Sequence, residues 1–225
     1  MIQLSPATAL ASAKRIAGRP YRLAQRRLIR TLLEPDFAHN TITHRPLIEL
    51  GVDAPGRMHY EPSAHTFLRR GLRRRVITPD DVFVDLGCGL GRVLHQAARH
   101  RFKRIIGVDI SDRLVIQARE NLRRSAGGHR CQKVQVACAD LATWRVPDDV
   151  TYAYIYNAVT DDVFHGMLDQ ILDSLERRPR RLLLIYANPV MGDRVLATHR
   201  FTLVRTSRGL RRDKPGHTVK VFEGR

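Results

Sequence analysis

Long apolar runs are missing from this 225-residue chain, and no stretch approaches the roughly 18 consecutive apolar residues that a membrane span requires. The apolar residues 1–13 have no basic segment ahead of them, which is not the order of a secretory signal, and Arg26-Arg27 is not followed by the apolar stretch an export signal needs. Cysteine is scarce. Cys88, Cys131 and Cys138 are odd in number and none has metal-ligand spacing, which argues against a disulfide framework and a zinc site. The histidines ahead of the core, His39, His44, His59 and His65, also lack the paired spacing of a metal site. No G-x-S-x-G elbow is present for Ser-His-Asp hydrolysis. Internal repeats and low-complexity segments are absent too. These absences predict a reduced, cytoplasmic protein with no integral membrane association.

Lysine is also rare. Five of the 39 basic residues are lysine (Lys14, Lys103, Lys133, Lys214 and Lys220) and arginine supplies the rest, for a formal net charge of +17. Strong basicity favours acidic partners such as nucleic acid, because it raises the encounter rate with any polyanion. The arginine bias, alongside abundant alanine and leucine, is equally what a GC-rich genome imposes on an ordinary surface. Charge alone therefore leaves the partner open.

What is present is concentrated in Asp81 to Leu94. Val82, Phe83, Val84 and Leu86 form the short apolar, β-branched and aromatic run of a strand buried on both faces. Gly87, Gly89 and Gly91 then permit a sharp turn and a close approach to a ligand where a Cβ would collide. From Arg92 the apolar residues Val93, Leu94, Ala97 and Ala98 recur at helical spacing, so the free amides of a helix start face the turn and suit an anionic group. Dinucleotide folds use G-x-G-x-x-G for a pyrophosphate. Here the spacing is G-x-G-x-G, Arg92 stands at the third glycine's place, and Asp85 precedes the first glycine. A carboxylate at that point suits a cationic amino-acid cofactor better than a pyrophosphate.

Two more strands follow the same plan. Residues 104–109 end in Asp109, at about the spacing where nucleotide folds place a ribose-binding acid, and residues 134–140 end in Asp140 followed by Leu141. Open α/β sheets bind ligands at this carboxyl edge. Further along, the pattern predicts helices over residues 112–124 and 161–175, strands over 152–156 and 181–186, and a closing antiparallel hairpin from 201–206 and 217–222. Ahead of the glycine loop, residues 5–33 read as a basic helical segment, residues 34–62 as a Pro- and His-containing linker, and residues 64–75 as a basic helix. The length accommodates one α/β domain at 63–225 and an extension at 1–62.

The glycine loop, the three acid-ended strands and the closing hairpin resemble a class I S-adenosylmethionine-dependent methyltransferase over about residues 60–225. The resemblance implies a Rossmann-like α/β fold with a seven-stranded, mostly parallel sheet and an antiparallel C-terminal hairpin, here with an N-terminal helical extension. It also implies that Asp85 and the loop of Gly87, Cys88, Gly89 and Gly91 hold the methionine end of S-adenosylmethionine. Asp109 with Ile110 would take the ribose, Asp140 with Leu141 the adenine, and Tyr60 beside Glu61 would form a lid. After the fourth strand, Asn157 followed by a helix with Val163, Leu168 and Leu172 resembles the Dot1-like lysine methyltransferases. That makes Asn157 a candidate for orienting an amine and touching the cofactor, with Tyr156 as wall or hydrogen-bond partner.

Base-amine methyltransferases carry two prolines and an aromatic after this asparagine, whereas this chain has Ala158, Val159 and Thr160. The expected acceptor is therefore an amine of a protein, a peptide or a metabolite. RNA or DNA methylation and a noncatalytic binding module with the same fold are the alternatives, and an oxidoreductase is a more distant one. N- versus O-methylation and oligomeric state are not written in the sequence.

Overall fold

A computed structural model describes residues 62–72, 76–156, 161–209 and 218–225. The basic segment 5–33, the proposed lid residues Tyr60 and Glu61, and Asn157 lie outside the described residues. Among these, seven strands form one sheet: β1 (Val82–Leu86), β2 (Arg104–Asp109), β3 (Val134–Cys138), β4 (Tyr152–Tyr156), β5 (Leu182–Ala187), β6 (Phe201–Ser207) and β7 (Val219–Gly224). Their order is β3-β2-β1-β4-β5-β7-β6. β1 to β5 are parallel, and β7 inserts antiparallel between β5 and β6, so β7 alone runs against the rest. This is the Rossmann-like seven-stranded sheet with an antiparallel end that the sequence predicts.

Among the described residues, five α-helices accompany the strands: α1 (His65–Gly71), α2 (Arg92–Ala98), α3 (Asp112–Arg124), α4 (Asp161–Arg177) and α5 (Gly192–Ala197). The strand alternation divides the core. Val82, Val84 and Leu86 join Phe164, Met167, Leu168, Ile171 and Leu175 of α4 in one buried cluster. Phe83 faces the other way, toward the ring of Phe102, which also meets Tyr152 edge-on. Helices α1, α2 and α3 contact one another in turn, with α2 against β1 and β2 and α3 against β2 and β3. Each fully buried Leu, Ile or Phe in these layers contributes about 1.5–3 kcal/mol relative to exposure. On α4, Val163 and Leu168 are buried and Leu172 is partly buried against the core, which is the apolar spacing read from the sequence.

The differences from expectation are local. Helix α1 stops at Gly71 and not at Arg75, because Leu72 takes an extended conformation (ψ 139°). Gly71 packs so closely on Ile185 that any Cβ would strike its side chain. Strand β3 ends at Cys138, two residues before Asp140, because the Asp140 carboxylate accepts the Ala142 amide at 3.0 Å and turns the chain out of the sheet. The short helix α5 has no announcement in the sequence pattern. Asn188 ahead of it adopts a left-handed φ of 51°, so turn geometry accounts for this residue.

Candidate active site

The carboxyl ends of β1, β2 and β4 converge on the glycine loop. Gly87, Gly89 and Gly91 have φ values of 85°, 51° and 85°, a region L side chains rarely enter. At Gly91 the turn also needs space, since an added Cβ would lie 3.3 Å from the Ala118 Cβ of α3. The amides of Gly87 and Cys88 both donate to the Val108 carbonyl at 2.9 Å, tying the loop to β2. From α3, the Asn121 side-chain amide donates to the Leu90 carbonyl at 3.0 Å. The Cys88 side chain packs inward, where Gly107 leaves room for it: a Cβ at Gly107 would stand 2.9 Å from Cys88 Sγ. Burial, with the nearby charges of Asp109 and Asp85, pushes the Cys88 thiol well above its usual range.

Asp109 closes this loop. Its Oδ2 accepts the Gly89 amide at 2.8 Å and its Oδ1 accepts the Ser111 amide at 3.1 Å. Burial raises its carboxyl, and the amides of Ser111, Gly89 and Ile110 oppose that rise. The Ser111 side chain in turn caps α3 by accepting the Leu114 amide at 3.3 Å. Ile110 is partly buried, and its carbonyl accepts the Cys138 thiol at 3.4 Å. On the β3 side, Asp140 is partly exposed and Leu141 is buried in the core.

Asp85 is the most informative group in the site. It is 2% exposed, and among the described residues its buried Oδ2 has no hydrogen-bond partner. Burial first, and the charge of Asp109 second, hold its carboxyl well above the ordinary range. A buried polar atom without a partner is costly unless something arrives to satisfy it. A cationic group donating to Oδ2 would do so.

Beside Asp85 and the end of β4 lie Tyr156, which the sequence singled out, and several residues that it did not. Tyr154 sits directly opposite it in the β1/β4 register. The Tyr154 hydroxyl is buried beside Ser63, and burial pushes it far above the usual phenol range. Arg92, only 8% exposed, donates from Nη1 to the Ser63 carbonyl at 3.0 Å. Tyr156 is partly buried at the end of β4, its ring 5.6 Å from that of Phe67 on α1. The sequence signal for Arg92 was its place at the third glycine. Tyr154, Ser63 and Phe67 had none, because they meet the site only through strand pairing and the docking of α1.

The structure thus brings together Asp85, Gly87, Cys88, Gly89, Gly91, Asp109 and Ile110 around one turn, with Tyr156 at the neighbouring strand end. Asp140 and Leu141 follow β3 on the far side of β2. The arrangement fits a ligand with a cationic group at Asp85, a backbone-bound portion along the glycine loop and a hydroxylated portion at Asp109.

Known proteins resemble this chain over the segment that carries the glycine loop. Residues 83–178 match a family described as a methyltransferase domain. A protein-lysine N-methyltransferase from Saccharolobus islandicus is 34% identical over 67 residues, which are 29% of this chain and 42% of that protein. A histone-lysine N-methyltransferase, H3 lysine-79 specific, from Dictyostelium discoideum is 45% identical over 51 residues, 23% of this chain and 3% of that protein. The chain therefore spans less than half the length of these curated relatives. The solved RNA methyltransferase from Salinibacter ruber, in complex with S-adenosyl-L-homocysteine, shares the fold with a TM-score of 0.50 and 23% identity, over 72% of this chain and 93% of that one. The matched segment thus resembles a methyltransferase domain, and the sheet that carries it has the fold of that S-adenosyl-L-homocysteine-bound structure.

Proposed function

We propose that this protein transfers the methyl group of S-adenosylmethionine to an amine on a protein or peptide. The observation that carries the cofactor half is the buried, partnerless Asp85 Oδ2 beside the glycine loop, where the amino group of the cofactor's methionine end fits. Asp109 would receive the ribose hydroxyls through the lone pairs its two backbone bonds leave open, and Asp140 the adenine amine. Tyr60 would close over the methionine end.

S-adenosylmethionine supplies a methyl group already activated by a sulfonium, so the chain's own task is alignment and exclusion of water. Tyr156, backed by the buried ring of Phe67 at 5.6 Å, forms an aromatic wall at the end of β4 against which an acceptor side chain can lie. Asn157, the next residue, would orient the acceptor nitrogen by accepting its hydrogens. An amine must lose its proton before it attacks, and an apolar wall favours the neutral form by desolvation. The match to a protein-lysine N-methyltransferase supports a lysine amine as acceptor.

The test is to incubate the protein with methyl-labelled S-adenosylmethionine and, separately, lysine-rich peptides and total RNA. Label recovered as methyl-lysine is the expected result. Label appearing only in RNA would overturn the acceptor, and calorimetry showing NAD binding without S-adenosylhomocysteine binding would overturn the cofactor.

A further inference from the structure

A second concave site lies at the opposite edge of the sheet. The segment 99–101 joins α2 to β2, the turn 127–130 precedes β3, and Ile77 precedes β1, so all three stand at the amino ends of their strands. Together they enclose a depression of about 510 Å³ lined by Ile77, Arg99, His100, Arg101, Gly128 and Arg130. Its volume is in the range of ligand sites, about 300–1,000 Å³. A Cβ on its lining residue Gly128 would meet nothing within 4 Å, so this wall is uncrowded. Strands rise about 3.3 Å per residue, so a strand as short as β1 places this edge about 17 Å from the glycine loop. The two sites can be filled independently.

No acid lines this depression. Several arginines elsewhere on the described surface are matched with acids: Arg104 with Asp149, Arg124 with Glu120, Arg177 with Asp148, Arg181 with Glu223 and Arg194 with Asp161. Arg180 is instead spent on backbone carbonyls of Val150 and Ser174. Arg99, Arg101 and Arg130 are exposed, and among the described residues no carboxylate pairs with any of them. Three guanidinium groups around one depression without an acid in its lining repel one another until an anion arrives. Arginine's planar fork suits phosphate oxygens in particular. Three more arginines, Arg73 to Arg75, stand in the sequence just before Val76-Ile77.

We propose that this depression is a nucleic-acid docking site, separate from the methyl-transfer centre, in which Arg99, Arg101 and Arg130 bind the phosphodiester backbone. Phosphate contacts carry no sequence information, so binding through these three guanidinium groups is independent of base sequence.

The experiment is a salt titration of binding to a fluorescein-labelled, mixed-sequence single-stranded RNA by the full chain. Variant R99Q/R101Q/R130Q is compared with R113Q/R145Q/R208Q, which removes the same formal charge from positions outside the depression. Removing three phosphate contacts lowers the log–log salt slope by about 2 for a single strand. The expected result is that drop with at least a tenfold loss of affinity in the first variant, a clearly smaller loss in the second, and unchanged S-adenosylhomocysteine affinity in both. Equal losses in the two variants, or no salt-dependent binding by the parent protein, would overturn the site. Displacement of the RNA by inorganic phosphate at equal phosphate concentration would overturn the nucleic-acid assignment and make the depression a small-anion site.

Discussion

Asp109, the last residue of β2, holds the glycine loop from outside by accepting the Gly89 amide at 2.8 Å, while its other oxygen accepts the Ser111 amide at the start of α3. One carboxylate thus fixes the loop, the strand end and the following helix relative to each other. Leaving such buried amides without an acceptor costs about 1–3 kcal/mol each. Asp109→Ala should therefore lower the thermal midpoint and weaken S-adenosylhomocysteine binding at least tenfold. Asp109→Asn, which keeps one acceptor oxygen, should fall between. Thermal denaturation with and without the ligand reads both effects, and a ligand-induced shift undiminished in Asp109→Ala would remove Asp109 from the cofactor site.

Asp85 should trade stability for binding. Because burial raises its folded-state carboxyl above the unfolded value, the folded chain holds this proton at pH values where the unfolded chain has released it. Its contribution to stability is then present in full below the ordinary carboxylate range and declines as pH rises through the raised value. Asp85→Asn cannot ionise and escapes that decline. The variant should gain stability over the parent as pH rises, yet bind S-adenosylhomocysteine at least tenfold more weakly. Urea midpoints across pH test the first half and calorimetry the second; a variant that binds normally would show that Asp85 is a structural acid only.

How much of this was legible in the sequence depended on how local the cause was. Strand β1, the glycine turn and helix α3 are set by neighbouring residues: a buried apolar run, three glycines with positive φ, and a Ser111 cap. Their boundaries could be read directly. Helix α1 gives way to extended backbone at Leu72, and its last residue, Gly71, meets Ile185 from a strand more than a hundred residues away, a contact that no local pattern carries. Likewise Asp85 was readable as a candidate site residue by its place before the loop. Its lack of a partner became visible only once β4 put Tyr154, and not a cation, opposite it. Nothing in the sequence set the loop of Arg99 to Arg101 apart from the chain's general arginine excess, since only the fold sets it beside Arg130.

Gly91 carries two constraints at once, and they can be separated. Its φ of 85° opposes any L side chain, and an added Cβ would lie 3.3 Å from that of Ala118. The backbone component is worth about 1–2 kcal/mol, so Gly91→Ala should destabilise the fold by at least that much and abolish measurable S-adenosylhomocysteine binding. Adding Ala118→Gly to Gly91→Ala relieves the contact but not the φ, and glycine inside α3 adds its own cost of about 1 kcal/mol. The double variant should therefore remain well below the parent in urea midpoint. Full recovery would mean that packing on α3, and not backbone conformation, demands the glycine.

The three thiols should react in an order set by burial. Cys138 is exposed and Cys131 and Cys88 are buried. Burial raises the Cys131 thiol, and raises that of Cys88 further with the added charges of Asp109 and Asp85. Since the thiolate is the nucleophile, alkylation of the native protein at mildly alkaline pH should label Cys138 first and Cys88 last, as read by peptide mass mapping. Burial is the larger cause at Cys88, so Asp85→Asn should leave it slow even though one repelling charge is gone. If Cys88 instead reacts as fast as Cys138 in the parent protein, the glycine loop opens to solvent on the timescale of labelling, and the latch from Asp109 to Gly89 does not hold it shut.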